Sequence, residues 1–414
     1  MHCLNEQKMK LLFSVQDMLE VFEGGAALSD QNWYDMHDAL LALNLPIENI
    51  MFSLIEDCRK EINSFPELKE YFGRFFDAHM NAAANSATIS EDYKNGKYGS
   101  DREFMNYMDI LSTNTSADIE AWVLDNLVKV RKTDQDYYNL ITAGSRNWYF
   151  ENNWLDGVDG INNSLINNRV TALKTNIGRL EWLYKNLSDA ISRRSVNALI
   201  KYWLTWDYSD WRKIALYSND VVDTSVYPFY DGEVFVDCGS YIGDTVVQYV
   251  NTVNRAYTRI YTYDISSASI EIIRENLSQL SNIVINHKGT GDTNTIMDMI
   301  GMDQAFPGNK LSAAPSVSQV EKVRVVRLDD DINEPITFLK VDCEGMDKET
   351  LRGACGIIRK FHPKLHVDSY HKLADVVDVP FLIHEIDPSY TLYMRLPAEI
   401  GAPPRFPTPA FMAV

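Results

Sequence analysis

The sequence has no run of about 18 consecutive apolar residues, so no segment reads as a membrane-spanning helix. Its opening, MHCLNEQKMKLLFSVQDMLEVF, lacks a basic stretch followed by an unbroken apolar core, because Gln, Asp and Glu interrupt it, and no secretory leader is expected. Cysteine is scarce. Cys3, Cys58, Cys238, Cys343 and Cys355 are scattered and form no CxxC pair, which argues against a disulfide framework or a zinc cluster and for a reducing, cytoplasmic setting. Positive charge is also short. Against 58 Asp and Glu stand 39 Lys and Arg, a net charge of −19 that disfavours unaided binding to nucleic acid or to an anionic membrane.

What is present divides into two differently built parts. At 414 residues the chain exceeds one ordinary core, and all eight tryptophans fall between Trp33 and Trp211. We therefore expect an all-α N-terminal domain over residues 1–225, serving acceptor selection or oligomerisation, and a ligand-binding domain over 226–414. In the first part, NLPIENIMFSLIEDCRKEI and SFPELKEYFGRFF open with Asn44 and Ser64 at cap positions, the latter in a capping box with Glu67. Further helical patterns cover Ala117–Lys132 and Ser164–Asp207. The Asn, Asp and Gly of Glu151–Asn168 predict turns, and Asp156 and Asp159 lack the acidic spacing of a calcium loop. The aromatics of KYWLTWDYSDW are read as packing residues rather than a sugar platform.

The second part alternates strand and helix patterns. Val234–Cys238, Arg259–Asp264, Asn282–Lys288, Ile336–Asp342 and Lys364–Tyr370 read as strands, and Ser267–Leu280 and Met346–Phe361 as helices. Nearly continuous apolar strands separated by helices imply an α/β fold whose mostly parallel sheet is covered on both faces. Ligands of such sheets bind beyond the carboxyl ends of the strands. Those ends carry Asp237, Asp264, Asp342 and Glu344. The turn G-S-Y-I-G, Gly239 to Gly243, would let backbone approach a ligand and open a helix, but the third glycine of a dinucleotide fingerprint is missing. Asp264, one strand–helix–strand after Asp237, suits ribose hydroxyls. A ligand with a ribose and a cationic amino-acid end, such as S-adenosylmethionine, would use Asp237 near its ammonium, the Gly239–Ser240–Tyr241–Gly243 turn, and Asp264–Ile265 at its ribose.

Taken in order, EVFVDCGSYIGDT, YTYDIS, VVRLDDDI, ITFLKVDCEGMDKETLRGA and PKLHVDSYHKLADVVDVPFLIHEIDPSYTLYMR resemble the FkbM family of S-adenosylmethionine-dependent methyltransferases over about Tyr227 to Arg395. The resemblance implies a seven-stranded Rossmann-like class I methyltransferase sheet, bound S-adenosylmethionine, and methylation of oxygen on a saccharide or secondary-metabolite intermediate. It places Asp237, Gly239 and Gly243 in the first cofactor motif and Asp264 where the family usually has a Glu for the ribose. Gly291 and Asp292, in HKGTGDTN, match the acid that borders the adenine; a plain Asx turn is the alternative.

Methyl transfer from a sulfonium is an in-line displacement that relies on proximity, and a hydroxyl nucleophile calls for a base or a metal. The groups available are Lys340, Asp342, Glu344, Tyr370 and His371. His371 is the first candidate for base, because imidazole titrates near neutrality, with helix capping as its alternative role. Lys340 is expected to pair with a neighbouring acid, and Glu344 has the alternative of capping the helix at Met346. A divalent metal on Asp342 and Glu344 with His371 or His366 is a weaker reading than hydrogen bonding by the two carboxylates. Cys238 and Cys343 lack any activating pattern and are not taken as nucleophiles. Asp329–Asp331 reads as a solvated turn or helix start. The expected partner is a small-molecule or glycan acceptor, with self-association through the helical part as a further expectation. The competing readings are N-methylation of a peptide or natural product, a non-catalytic nucleotide-binding scaffold, and a nicotinamide dehydrogenase.

Overall fold

The computed structural model describes residues 99–142, 153–215, 221–223, 226–253, 256–300, 310–312, 319–396 and 408–414. The helices expected from Asn44 and Ser64 lie outside these residues. Among the described residues seven helices come first: α1 (Gly99–Thr113), α2 (Ser116–Thr133), α3 (Gln135–Thr142), α4 (Ser164–Thr175), α5 (Ile177–Asn186), α6 (Ala190–Thr205) and α7 (Ser209–Ala215). The start of α2 follows from a capping box, in which Thr115 Oγ1 accepts from the Asp118 amide while the Asp118 carboxylate accepts from the Thr115 amide. Its Ile119, Val123 and Leu127 recur on one buried face.

The pattern Ser164–Asp207 is cut into three helices rather than one. Asn176 ends α4 and opens α5, and Leu187 leaves the helical path to form a parallel bridge with Leu392. Trp203, Trp206 and Trp211 are buried, as expected of packing residues, and the Arg169 guanidinium lies 4.6 Å from the Trp206 ring. The turn region persists up to Asn163, where Asp159 pairs with Arg131.

The remaining elements, in chain order, are β1 (Glu233–Cys238), α8 (Asp244–Val253), β2 (Tyr257–Asp264), α9 (Ser267–Asn276), β3 (Ile283–His287), β4 (Gly289–Thr290), β5 (Thr295–Ile300), β6 (Lys310–Ser312), β7 (Gln319–Val326) and α10 (Leu328–Asp331). They continue with β8 (Phe338–Val341), α11 (Asp347–Gly353), α12 (Cys355–Phe361), β9 (Lys364–Asp368), α13 (Asp375–Ile386), β10 (Leu392–Arg395) and β11 (Ala410–Ala413). A seven-stranded sheet runs in the order β10-β11-β9-β8-β1-β2-β3. The pairings from β9 to β3 are parallel, while β11 is antiparallel to both its neighbours. This is the mostly parallel α/β sheet expected from the strand pattern. All six residues of β1 are buried, which is why that strand reads as an unbroken apolar run ending in Asp and Cys.

Other features also differ from the expectation. A second sheet, β4-β7-β5-β6, sits between β3 and β8 in the chain. The stretch Met346–Phe361 forms two helices that meet at Ala354, next to Gly353, where a side chain would lie 1.9 Å from the Gly291 carbonyl oxygen.

Under the main sheet Phe235 stacks on Phe338 at 4.8 Å, with Tyr227, Phe229 and Tyr249 around them. On the β10 side the helices dock through polar anchors. The Ser188 amide donates to Leu392 O at 2.9 Å, and buried Arg395 binds Asp189 at 2.8 Å and Asp223 at 3.1 Å. Residues 106–414 form one compact unit. No helix among the described residues is long and apolar enough to cross a membrane. The order of strand addition switches at the parallel pair β1 and β8, with β2 and β3 on one side and β9 on the other, and in such sheets a crevice lies at the carboxyl ends of the strands at this point.

Candidate active site

That crevice is a cleft lined on one side by Gly239, Tyr241, Asp264 and Ile265 and on the other by Lys340, Asp342, Glu344 and Tyr370. Asp264, the last residue of β2, turns its carboxylate into the cleft and is fixed from behind. Its Oδ2 accepts from the Tyr241 amide at 2.8 Å and its Oδ1 from the Ser266 amide at 2.9 Å. Two of the roughly four acceptor directions of the carboxylate are thereby used, which leaves capacity for a pair of vicinal hydroxyls. Burial pushes this carboxyl up to about 6, against the pull of the two amides.

The glycine turn plays a different part from the one its spacing suggested. Gly239 has φ +78°, and a Cβ there would stand 1.7 Å from the Asp342 carbonyl oxygen, so this glycine is needed for contact between the β1 and β8 loops. Gly243, at φ +79°, faces Leu277 and ends the turn at the start of α8. It does not line the cleft, and neither do Ser240, whose Oγ donates to Asp237 O at 2.8 Å, and Asp292, whose carbonyl accepts from Arg327 at 3.0 Å.

Asp237 is fully buried beneath the cleft instead of facing it. Lys340 Nζ stands 3.3 Å from its Oδ1, 3.6 Å from Asp342 Oδ2, and donates to Gly239 O at 2.8 Å. The expected pairing of Lys340 with an acid is present, and through it Asp237 fixes the glycine turn. Burial alone would drive off the lysine's proton, but Asp237, Asp342 and Asp368 hold it charged.

On the opposite wall Asp342, Glu344 and His371 come together. His371 Nε2 lies 3.3 Å from Asp342 Oδ1 and 3.5 Å from Glu344 Oε2, while its Nδ1 is 2.8 Å from Asp347 Oδ2. Tyr370 donates its hydroxyl proton to Asp342 Oδ1 at 3.2 Å. Burial opposes an imidazolium here, yet Asp347 and Asp342 raise His371 well above the usual imidazole range. A fully buried, proton-retaining histidine is unsuited to the base role expected of it. Nor does it cap a helix: α13 begins only at Asp375. Glu344 does not cap α11 either: Met346 is at the N-cap with no side-chain cap, and Asp347, the first residue of the helix, turns back to accept from the Cys343 and Gly345 amides at 2.7 and 3.2 Å. Burial pushes the Glu344 carboxyl up to about 8. Glu344 and Tyr241 both hold positive φ, 50° and 48°, on facing walls, the kind of strained backbone that collects at functional sites. His366 stands apart, 3.8 Å from Asp368.

Other cleft residues escaped the sequence reading: Asp244 and Thr245 in the first turn of α8, Tyr263, and Lys288, Gly289 and Thr290 after β3. The strand-end rule could have found the last three, since NHKGT closes a predicted strand. Cys343 also lines the cleft, but burial pushes its thiol up to about 12, and Cys238 is raised well above the usual thiol range, so neither is a thiolate. Asp329 and Asp331 are not solvated. Asp329 accepts from the Gly356 and Ile357 amides, and Asp331 binds Lys288 at 2.7 Å and the Tyr263 hydroxyl at 2.9 Å.

A seven-stranded, mostly parallel sheet with an acid-lined cleft at its switch point defines a Rossmann-like fold of the methyltransferase class. Residues 237–388, within the C-terminal half of the chain, match the Methyltransferase FkbM domain. Among solved structures, methyltransferase FkbM from Methylobacillus flagellatus KT shares 21% identity over 59% of this chain and 62% of its own, with a TM-score of 0.47. The chain thus spans about three fifths of that protein's length. An rRNA methylase from Streptococcus thermophilus shares 16% identity over 44% of this chain and 86% of its own, at a TM-score of 0.29. A Streptococcus mutans protein solved in complex with SAH shares 13% over 44% and 89%, at 0.28. No curated protein matches the chain.

Proposed function

We propose that the protein is an S-adenosylmethionine-dependent methyltransferase acting on a hydroxyl of a saccharide or secondary-metabolite intermediate. The observation that carries this reading is one cleft with two complementary walls: the amide-held carboxylate of Asp264 beside the Gly239 turn, facing the Asp342, Glu344 and Tyr370 wall. When bound, S-adenosylmethionine supplies an electrophilic methyl group on a sulfonium.

The residues divide the remaining work. Asp264 receives the two ribose hydroxyls through its unused acceptor directions, and Ile265 and Met346 offer apolar surface to the adenine. The first turn of α8, with Asp244 and Thr245 on the cleft, presents free amides suited to the cofactor's carboxylate. Asp237 and Lys340 position the glycine turn from below. Asp342, Glu344 and Tyr370 hold the acceptor hydroxyl in line with the methyl carbon, where proximity and alignment supply much of the rate. The helices before residue 225 are assigned acceptor selection or self-association, and the setting is cytoplasmic. N-methylation of a peptide would use the same cofactor wall and differ only in the acceptor.

The test is calorimetric titration of the full chain with S-adenosylhomocysteine, with NADH in parallel. Binding of the thioether nucleoside alone supports the reading. Binding of NADH alone, or of neither, overturns it in favour of a dehydrogenase or a scaffold.

A further inference from the structure

The wall opposite Asp264 holds more than an acceptor site requires. Asp342 and Glu344 lie two positions apart after β8, and His371 follows β9, so two separate loops deliver three donors to one point. One oxygen of each carboxylate and one imidazole nitrogen lie within 4.8 Å of one another. The closer separations are 3.3 Å from His371 Nε2 to Asp342 Oδ1 and 3.5 Å to Glu344 Oε2. Metal–ligand bonds of about 2.1 Å place neighbouring donors about 3 Å apart, close to the two histidine separations, and the carboxylates would draw in toward a shared ion.

An observation outside the three donors points the same way. His371 is fully buried, and its far nitrogen, Nδ1, is tied to Asp347 Oδ2 at 2.8 Å. Asp347 is itself held by the Cys343 and Gly345 amides. A carboxylate behind a histidine, locking the ring so that its other nitrogen faces two more carboxylates, is the outer layer that orients metal-bound histidines. On the far side Asp342 and Glu344 line the cleft, so a cation between them would keep open positions toward a ligand.

We infer that Asp342, Glu344 and His371 Nε2 form a three-donor site for a divalent cation at the acceptor wall, the ion displacing the Nε2 proton of the ion-free imidazole to water, with Asp347 as the positioning residue of the ring. With two carboxylate oxygens against one imidazole the set is mostly hard, which suits manganese among the first-row divalent ions, and manganese(II) is the probe. The role of the ion rests on the methyl-transfer reading. An acceptor hydroxyl bound in an open position loses its proton more readily, and the proton leaves to water. The oxygen then forms the bond to the methyl carbon as the carbon–sulfur bond breaks, its electron pair remaining on sulfur as the thioether.

The site can be tested without any nucleoside. The full chain, stripped with a chelator, is titrated with manganese(II) chloride while free ion is followed by electron paramagnetic resonance. The expected result is one tightly bound ion per chain, with affinity lowered at least about tenfold in Glu344→Gln. Spin-echo modulation of the bound ion should show coupling to one imidazole nitrogen, absent in His371→Gln. Near-ultraviolet circular dichroism checks that both variants are folded; if either is not, the nitrogen coupling in the unaltered chain decides alone. Absence of binding, binding unchanged in a folded Glu344→Gln, or a bound ion without nitrogen coupling overturns the inference and leaves a closed ion cluster. Manganese binding without S-adenosylhomocysteine binding would keep the metal site and remove the methyl-transfer reading.

Discussion

The carbonyl oxygen of Asp342 occupies the space that a side chain on Gly239 would enter, 1.7 Å from where its Cβ would lie. The loops after β1 and β8 therefore close the floor of the cleft by direct backbone contact, and the positive φ at Gly239 adds to the restriction. Gly239→Ala should cost about 2–4 kcal/mol through clash and backbone strain. A thermal unfolding curve checks this, and a variant melting with the parent would mean that the two loops part freely.

Asp264 gives a pH dependence whose sign differs between binding and folding. Burial pushes its carboxyl up to about 6 in the free protein, and ribose hydroxyls donate more strongly, and at both oxygens, to the ionised form. Affinity for S-adenosylhomocysteine should be level above about pH 6 and fall up to about tenfold per unit below it. For folding, a carboxyl raised from 3.8 contributes stability that is complete below 3.8 and is lost as pH rises through 6. Calorimetry from pH 5 to 8 should show a flat profile for Asp264→Asn; a flat profile in the parent would remove Asp264 from the ribose.

Lys340 is the cation between two acids, with Asp237 fully buried beside it. Lys340→Met leaves that carboxylate uncompensated and should cost about 3–5 kcal/mol, measured by urea unfolding. The double variant Asp237→Asn with Lys340→Met should lose less than the two single changes combined. Strict additivity would show that the pair is not coupled.

Arg395 joins β10 to the residues that precede α6 through Asp189, and to Asp223. Arg395→Met should destabilise by about 3–5 kcal/mol while leaving S-adenosylhomocysteine affinity unchanged. Amide exchange should rise in α6 and β10 and not around Asp264. Equal loosening at the cleft would show that the helices and the site unfold as one.

The sheet was legible because its central strands are buried on both faces and therefore read as apolar runs, as in VFVDC and ITFLKVD. The LYMR and AFMA strands were missed because each is only four residues long, too short for its pattern to separate strand from other structure. Asp264 was found from the strand-end rule. Asp237 was misplaced because that rule locates a strand's tip but not the direction of its side chain, and burial turned this one downward onto Lys340. The role of His371 depended on Asp347, a residue whose proximity arises only when the loops after β8 and β9 fold against each other. Gly239 was recognised as necessary, but the partner that makes it so is protein backbone.

One topological detail bears on how this sheet is assembled. β11 lies between β9 and β10, although both precede it in the chain. β10 is joined to the rest of the sheet only through β11, so during synthesis it cannot take its native pairing until Ala410–Ala413 has emerged. Trimming or obstructing this strand would therefore split the sheet internally, detaching the margin on which the helices rest while the cleft half retained its own pairings.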